Sequence, residues 1–330
     1  MEETMITLSR RALPALAAPL ALGAMTATPA IAQPTWPSRP VRLIVPFAPG
    51  GPADILARML AEFFTPRLGQ PCLVENHAGA GGMIGTRVAA TSTDAHTLLM
   101  GSVSMTIVPH LATSPVGYDV EADFVPLGLV ASAPFVLVVP AASPLRDLPG
   151  LVAASRERSL NAGNSGNGTL SHLAIEVFRA RTGAAIESVA YRGEGQMLPD
   201  LVAGNIGFSF ASLSSALPLI RDGRLRALAV LGPQRLEALP DVPTLAQQGV
   251  QDVEADGWQA LFANKAVPRE AADRLRRLLA EALADATISA RITAFGLLRA
   301  SRDPAAFAVM FGQEYQRWGE IVRTRGIKAE

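Results

Sequence analysis

The run Val41-Arg42-Leu43-Ile44-Val45-Pro46-Phe47-Ala48-Pro49-Gly50-Gly51-Pro52-Ala53-Asp54-Ile55-Leu56-Ala57-Arg58 decides how the chain is read. Its first five residues are short and largely apolar, which predicts a buried strand. Pro46, Pro49, Gly50 and Gly51 stop that strand and force a turn. Pro52 suits a first helical position, and Asp54 follows where a carboxylate favours the positive end of a helix. Ile55, Met59 and Phe63 then recur at four-residue spacing as an apolar helix face. A strand, a glycine turn and a helix N-terminus in that order can hold an anion on backbone N–H groups. Pro52 lacks an N–H, which leaves Gly51, Ala53 and Asp54 as donors. A purely structural βα turn carries the same signature.

At 330 residues the chain is long enough for two ordinary domains. It is 49% hydrophobic and 18% charged, a folded rather than disordered composition. The formal net charge is zero, Lys265 and Lys328 are the only lysines, and no basic stripe forms. This argues against nucleic acid as a partner. Residues 1–32 read as an export signal: Arg10-Arg11, an apolar stretch from Ala12 to Ala24, then Ala30-Ile31-Ala32 ahead of Gln33. That stretch is too short to span a bilayer, and no later run supplies a span. Ser9-Arg10-Arg11-Ala12-Leu13 also fits a twin-arginine signal, so the Sec and Tat routes both stay open. The expected mature protein is exported and soluble. Cys72 is the only cysteine, so no internal disulfide can form, and its strand-like surroundings suit a buried small hydrophobe.

Residues 72–75 and 97–100 read as further strands. The first runs into the glycine-rich 76–82 and a helix through 86–90; the second ends at Gly101-Ser102 with a loop behind it. Three such units argue for a parallel α/β sheet whose loops share one edge, beyond the carboxyl ends of the strands, where ligands sit. Residues 124–130 and 135–139 read as two strands separated by Pro134, and 151–156 as a short helix. The second informative loop is Asn161-Ala162-Gly163-Asn164-Ser165-Gly166-Asn167-Gly168-Thr169, where Gly168 or Thr169 can cap a helix carrying Leu173 and Val177. Strands at 186–190, 206–210 and 225–230 follow; the first ends at Tyr191-Arg192-Gly193 and the second at Ala211-Ser212. Residues 258–262 return the chain to the first domain. Helices are expected at 269–283, 288–295 and 304–322. In the last, Phe307, Phe311, Tyr315, Trp318 and Val322 follow helical spacing as core or docking residues.

Catalysis has little support. Gly163-Asn164-Ser165-Gly166 approaches a hydrolase elbow, but the G-x-S-x-G pattern fails at Asn167. His172 falls inside the following helix, and no acid completes a triad. It is better read as a packed or capping histidine. The four histidines, His77, His96, His110 and His172, lack metal-ligand spacing, so no metal and no cofactor is expected. The loop 76–82 lacks the G-K-[ST] ending of a nucleotide-phosphate loop.

Five motifs in order carry a family resemblance. They are P-x-R-P-V-R-L-I-V-P-F-A-P-G-G (37–51), V-E-N-x-x-G-A-G-G-x-I-G (74–85), S-G-N-G-T-x-x-H-L (165–173), Y-R-G (191–193) and L-P-D-V-P-T (239–244). Together they resemble the Bug receptors, the extracytoplasmic solute-binding proteins of tripartite tricarboxylate transporters, from residue 36 to the C-terminus. The resemblance implies an α/β fold: a two-lobed periplasmic binding protein of type II, each lobe a mostly parallel sheet flanked by helices, with a hinge of crossing strands. Lobe 1 would comprise 33–132 with 254–330, and lobe 2 133–253. It further implies a periplasmic, non-enzymatic monomer that closes on a small di- or tricarboxylate or aromatic acid and presents it to integral-membrane permease subunits. A ligand-sensing adaptor for a signalling receptor is the alternative use of the same fold, with an exported hydrolase centred on Ser165 a distant third.

Carried over by position, the resemblance places Phe47, Ala48, Gly50, Gly51 and Asp54 at the ligand from the first lobe, with Ala53 added as an N–H donor. From the second lobe come Ser165, Gly166, Asn167, Gly168 and Thr169, with Tyr191 and Gly193 on a further ligand-facing turn. A carboxylate beside a bound anion repels it, so Asp54 is expected mainly to satisfy the helix start. Three departures matter. Ala211-Ser212 stands where many relatives have Asp-Asn, which removes a carboxylate and argues against an amino-acid ligand. His96 in Asp94-Ala95-His96-Thr97-Leu98-Leu99 replaces a tyrosine-bearing turn. Pro52 removes a hydroxyl and an N–H from the pocket.

Overall fold

Strand β1 (Val41–Val45) leads through the glycine turn into α1 (Pro52–Leu68), and β2 (Cys72–Asn76) returns parallel beside β1. Helix α2 (Met83–Ala90) follows, and β3 (Thr97–Ser102) pairs on the other side of β1, again parallel, before α3 (Ser104–Leu111). The computed structural model describes residues 1–2, 36–251, 256–299 and 304–325. Apart from its first two residues, the expected export signal lies outside the described residues.

The chain then runs through one 17-residue strand, β4 (Phe124–Pro140). This corrects the reading of two strands broken at Pro134. Pro134 does mark a boundary, but a change of partner: Pro134 is the last residue paired with β9 (Asp256–Asn264), and Phe135 is the first paired with β7 (Phe208–Ser212). A proline cannot donate to a ladder, so it is tolerated where the strand passes from one sheet to the next.

The second sheet repeats the first. After α4 (Leu148–Glu157) come β5 (Leu160–Asn164), α5 (Leu170–Thr182), β6 (Ile186–Ala190), α6 (Glu194–Ala203), β7, α7 (Leu213–Arg221) and β8 (Leu225–Val230). Strand β5 lies between β6 and β7, parallel to both, as β1 lies between β2 and β3. The strand order is therefore β2-β1-β3-β9-β4-β7-β5-β6, with β8 and a two-residue β10 (Leu298–Arg299) also pairing with β4. Each lobe has three parallel strands, and antiparallel crossing strands join the lobes; this is the two-lobed α/β architecture expected. Helices α8 (Arg269–Ala284), α9 (Ala286–Ala294) and α10 (Pro304–Arg325) complete the described chain.

Helix α1 buries Leu56, Met59, Leu60 and Phe64, whereas Ile55 and Phe63 pack half-buried on its flank. The expected face was thus one residue off the true centre. Helix α10 sends Phe307 and Phe311 against Trp258 and Phe262 of β9, and Trp258 Nε1 donates to Glu314 Oε2 at 2.6 Å. Trp258 therefore braces the crossing strands. Cys72 is buried, and burial pushes its thiol up to about 12, so it is inert as a nucleophile. Among the described residues no helix is long and apolar enough to cross a membrane, and no cluster of three metal-ligating side chains occurs.

Candidate functional site

The carboxyl ends of β1, β3, β5 and β6 converge where the two sheets face each other. In a parallel sheet the cleft opens where chain connections diverge to either side of a strand, here beside β1 and β5. The helix starts behind these strands carry the orphan N–H groups that make such a cleft attractive to anions. In α1 the first intrahelical bond runs from Ile55 N–H to Gly51 O at 3.0 Å, so the N–H groups of Ala53 and Asp54 lie ahead of the ladder.

A cavity in this cleft is lined from the first lobe by Phe47, Gly51, Pro52 and Ala53, and by Ser102, Val103 and Ser104 at the β3–α3 turn. From the second lobe Ser165, Thr169, Leu170 and Glu194 line it, and Phe135, Gly257 and Gln259 of the crossing strands form its floor. Among these lining residues there is no lysine, arginine or histidine. An anion held here is held by backbone and hydroxyl dipoles.

The residues singled out from sequence separate into three groups. Phe47, Gly51, Ala53, Ser165 and Thr169 line the cavity. Ala48, Gly50, Gly166, Asn167 and Gly193 form a seam where the lobes touch. Ala48 N–H donates to Arg192 O at 3.2 Å, and Ser215 Oγ donates to Gly50 O at 3.3 Å. A Cβ added to Gly166 would lie 3.0 Å from Gly81 Cα, and one added to Gly193 would lie 3.1 Å from Ala48 N. A Cβ added to Gly81 would stand 2.1 Å from Asn167 O, and one on Gly195 2.1 Å from Pro49 O. Only glycine permits these backbones to meet.

The remaining three, Asp54, Gly168 and Tyr191, are anchors. Asp54 is buried and accepts from Gly50 N–H (3.0 Å), Arg58 Nε (3.0 Å) and Asn76 Nδ2 (3.0 Å). Burial alone would raise its pKa, but the bonds from Arg58, Gly50 and Asn76 and the Arg58 charge outweigh it and hold the carboxyl below its usual range. These bonds tie the start of α1 to the preceding turn and to the end of β2. Gly168 N–H donates to His172 Nδ1 at 3.3 Å, which ties the loop to the first turn of α5. Tyr191 turns its hydroxyl to Asp200 Oδ2 at 2.8 Å; burial and that carboxylate push the phenol up to about 12.

The second loop spends its donors internally. Gly166 N–H donates to Asn164 Oδ1 (2.7 Å), Thr169 N–H to Gly166 O (3.1 Å) and Ser165 N–H to Ser171 Oγ (2.9 Å). The first α5 bond runs from Leu173 N–H to Thr169 O, so the donors ahead of the ladder are those of the first turn, from Leu170 onward. The Ser165 hydroxyl pairs with Ser171 Oγ at 2.9 Å and not with a histidine base. His96 stacks on Trp36 and accepts from Ser38 N–H at 3.1 Å, at the amino end of β3 and so opposite the cleft.

Sequence reasoning missed Glu194 and Gln259. Glu194 opens α6; its Oε1 accepts from Ser212 N–H at 2.7 Å, and Ser212 Oγ donates to Oε2. Burial raises its pKa, and the bonds from Ser212 and Ser215 offset this only in part. Although Ala211-Ser212 itself carries no carboxyl, Glu194 brings one to Ser212 from another element. Gln259 sits on β9 opposite Ser102. Neither position carries a local motif.

Known proteins resemble this chain in sequence and in fold. The sequence matches the family described as "Tripartite tricarboxylate transporter family receptor" over residues 56–327. It is 37% identical over 315 residues to protein BugT of Bordetella pertussis, covering 93% of this chain and 97% of BugT. The solved structure of R. palustris Rpa4515 with adipate superposes with a TM-score of 0.83 at 30% identity, over 89% of this chain and 99% of that one. MatC (Rpa3494) from Rhodopseudomonas palustris with bound malate gives a TM-score of 0.81 at 28% identity, over 87% of this chain and 100% of that one.

Proposed function

The chain belongs to the tripartite tricarboxylate transporter receptor family, a family of periplasmic solute-binding receptors and not of enzymes, and from that premise we propose that it captures a small organic carboxylate between its lobes. One carboxylate of the ligand lies between the starts of α1 and α5, with Gly51, Ala53, Ser165, Thr169 and the first turn of α5 around it. Phe47 covers it. The seam formed by Ala48, Gly50, Gly166, Asn167 and Gly193 closes the lobes over the ligand, with Asp54, Gly168 and Tyr191 holding the loops in shape. Lobe 1 is 33–132 with 254–330 and lobe 2 is 133–253. The loaded receptor is a monomer that presents its ligand to membrane permease subunits after export.

The observation that carries this reading is a cavity between two helix N-termini whose lining holds no basic side chain. Adipate in one solved relative and malate in another support the ligand class. The test is thermal unfolding of the mature chain, from Gln33, against aliphatic, aromatic and amino carboxylates. A ligand at a hundred times its dissociation constant adds about 2.7 kcal/mol of stability, visible as a rise of a few degrees. Gly51 has φ −84°, close to what proline adopts, so Gly51→Pro removes an N–H from the pocket and keeps the turn. The shift should appear with one carboxylate class and shrink in Gly51→Pro. No shift with any carboxylate, before or after refolding from denaturant, would contradict the proposal.

A further inference from the structure

One shared face of β3 and β9 is apolar along its length and turns polar where it meets the cleft. Leu98 lies opposite Ala263 and Met100 opposite Leu261, all four buried in one apolar core. The next pair on that face is Ser102 with Gln259, and both line the cavity. Ser104 joins them from the first residue of α3, where its N–H donates to Ser102 Oγ at 3.3 Å. A Cβ on Gly101 would stand 2.3 Å from Met105 Sδ, so α3 is seated directly on β3 and its start is fixed beside the floor. Gln259 and Ser104 are each 6% exposed. The Gln259 Oε1 is enclosed, which leaves Nε2 as the open end of the amide. Among the described residues neither Gln259 Nε2 nor Ser104 Oγ bonds to a protein group, and Ser102 Oγ, which accepts from Ser104, keeps its own proton to give. Polar groups this deep in a folded protein nearly always have a partner, so donors left open on a cavity floor form a recognition element. Glu194 does not supply the acceptor, because both of its oxygens already accept from Ser212.

We propose that Gln259, Ser102 and Ser104 form a donor subsite on the crossing-strand floor that binds a second carboxylate of the ligand, apart from the helix starts that hold the first. A carboxylate accepts several bonds at once and takes them charge-assisted from neutral donors, which suits an amide and two hydroxyls side by side. Phe47, Val103, Phe135 and Leu170 give the same cavity an apolar lining that suits the hydrocarbon joining the two groups. The inference rests on the proposed function, which supplies the first carboxylate, and narrows its ligand to a dicarboxylate. Plain alkanoic and aromatic monoacids leave the floor donors unpaired and are disfavoured.

The test uses matched acids in which one carboxylate is exchanged for a methyl or an amino group: succinate, butanoate and β-alanine; glutarate, pentanoate and γ-aminobutyrate; terephthalate, p-toluate and p-aminobenzoate. Affinities are measured by titration calorimetry on the mature chain and on Gln259→Met and Ser104→Ala, each checked for native circular dichroism. In the set that binds, the dicarboxylate should bind about ten-fold tighter than the methyl member or better, the worth of one hydrogen bond to a charged group. The amino member, which brings a donor to a floor of donors, should bind no tighter than the methyl one. Gln259→Met and Ser104→Ala, whichever folds, should weaken the dicarboxylate by about three- to ten-fold and leave the methyl member unchanged, whereas a merely structural role would weaken both. A methyl or amino member that binds as tightly as its dicarboxylate overturns the inference and leaves the receptor function standing. So does a dicarboxylate preference that is unchanged in both variants. No binding by any of these acids or by the wider carboxylate panel overturns the proposed function itself, and this inference with it.

Discussion

Two acidic residues sit near two helix starts on opposite sides of one cleft, and the protein treats them in opposite ways. Asp54 at α1 is surrounded by donors, a guanidinium among them, and its pKa falls; Glu194 at α6 is bonded only by neutral groups of Ser212 and Ser215, and its pKa rises. Both have little exposed surface, but Glu194 is the more deeply enclosed, and it lacks the charged partner that Asp54 has. A charged partner makes Asp54 a fixed strut beneath the loop, whereas burial without such a partner shifts Glu194 toward its neutral form. The same residue chemistry at the same kind of helix position thus serves as scaffold in one lobe and as cavity wall in the other.

The contrast can be broken most forcefully at Asp54. Replacing Asp54 with Ala removes the acceptor for Gly50, Asn76 and Arg58 and should cost about 3 kcal/mol, measured by urea unfolding at neutral pH. A loss below about 1 kcal/mol would show that the loop does not depend on this strut. The pH dependence has a definite sign. Because the folded-state pKa is depressed, the contribution of Asp54 is complete above the ordinary carboxylate range and is lost as pH falls through the depressed value. The stability gap between the wild type and Asp54→Asn should therefore close at acid pH.

Glu194 should do the reverse, with a smaller amplitude. Its folded-state pKa lies above the ordinary 4.5, so its ionisation opposes folding, and the penalty grows as pH rises from there through the raised value. Glu194→Gln should be more stable than the wild type at neutral pH, with the difference fading as pH falls below the ordinary value. Melting curves from about pH 3 to about pH 8 show this directly. A gap that widens toward acid pH would mean Glu194 is held ionised, and the contrast with Asp54 would disappear. The smallest effect belongs to Arg58→Ala. Its side chain is 55% exposed in the 2.9 Å pair with Asp54, so the loss should stay below about 1 kcal/mol.

Much of this was legible in the chain, and what was not has identifiable causes. The start of α1 was visible because Gly51 and Pro52 break the strand and seed the helix in adjacent positions. Helices α3, α6 and α7 escaped notice because each carries a proline at its sixth residue, Pro109, Pro199 and Pro218, where sequence rules end a helix. Tertiary packing overrides that rule, as it does at Pro134, where a strand changes partners without stopping. In the site, glycine-rich loops announced the cleft rim, and their glycines prove to be seam residues as much as cavity residues. Gln259 and Glu194 gave no signal because their meaning is long-range: antiparallel pairing brings Gln259 beside Ser102, and α6 delivers Glu194 to the end of β7. Local pattern cannot report a juxtaposition that only the sheet order creates.

Closure of the lobes over a carboxylate through direct backbone contact can be tested in isolation at Gly195. It is the second residue of α6, where alanine is a better helix former than glycine, yet its Cβ would stand 2.1 Å from Pro49 O across the cleft. Calorimetric titration of Gly195→Ala with the carboxylate that stabilises the wild type is the decisive measurement. The predicted result is an affinity lower by about 10- to 100-fold, the range expected from 1–3 kcal/mol of overpacking, with ligand-free stability equal to the wild type or slightly higher. An affinity equal to that of the wild type would contradict closure at this seam.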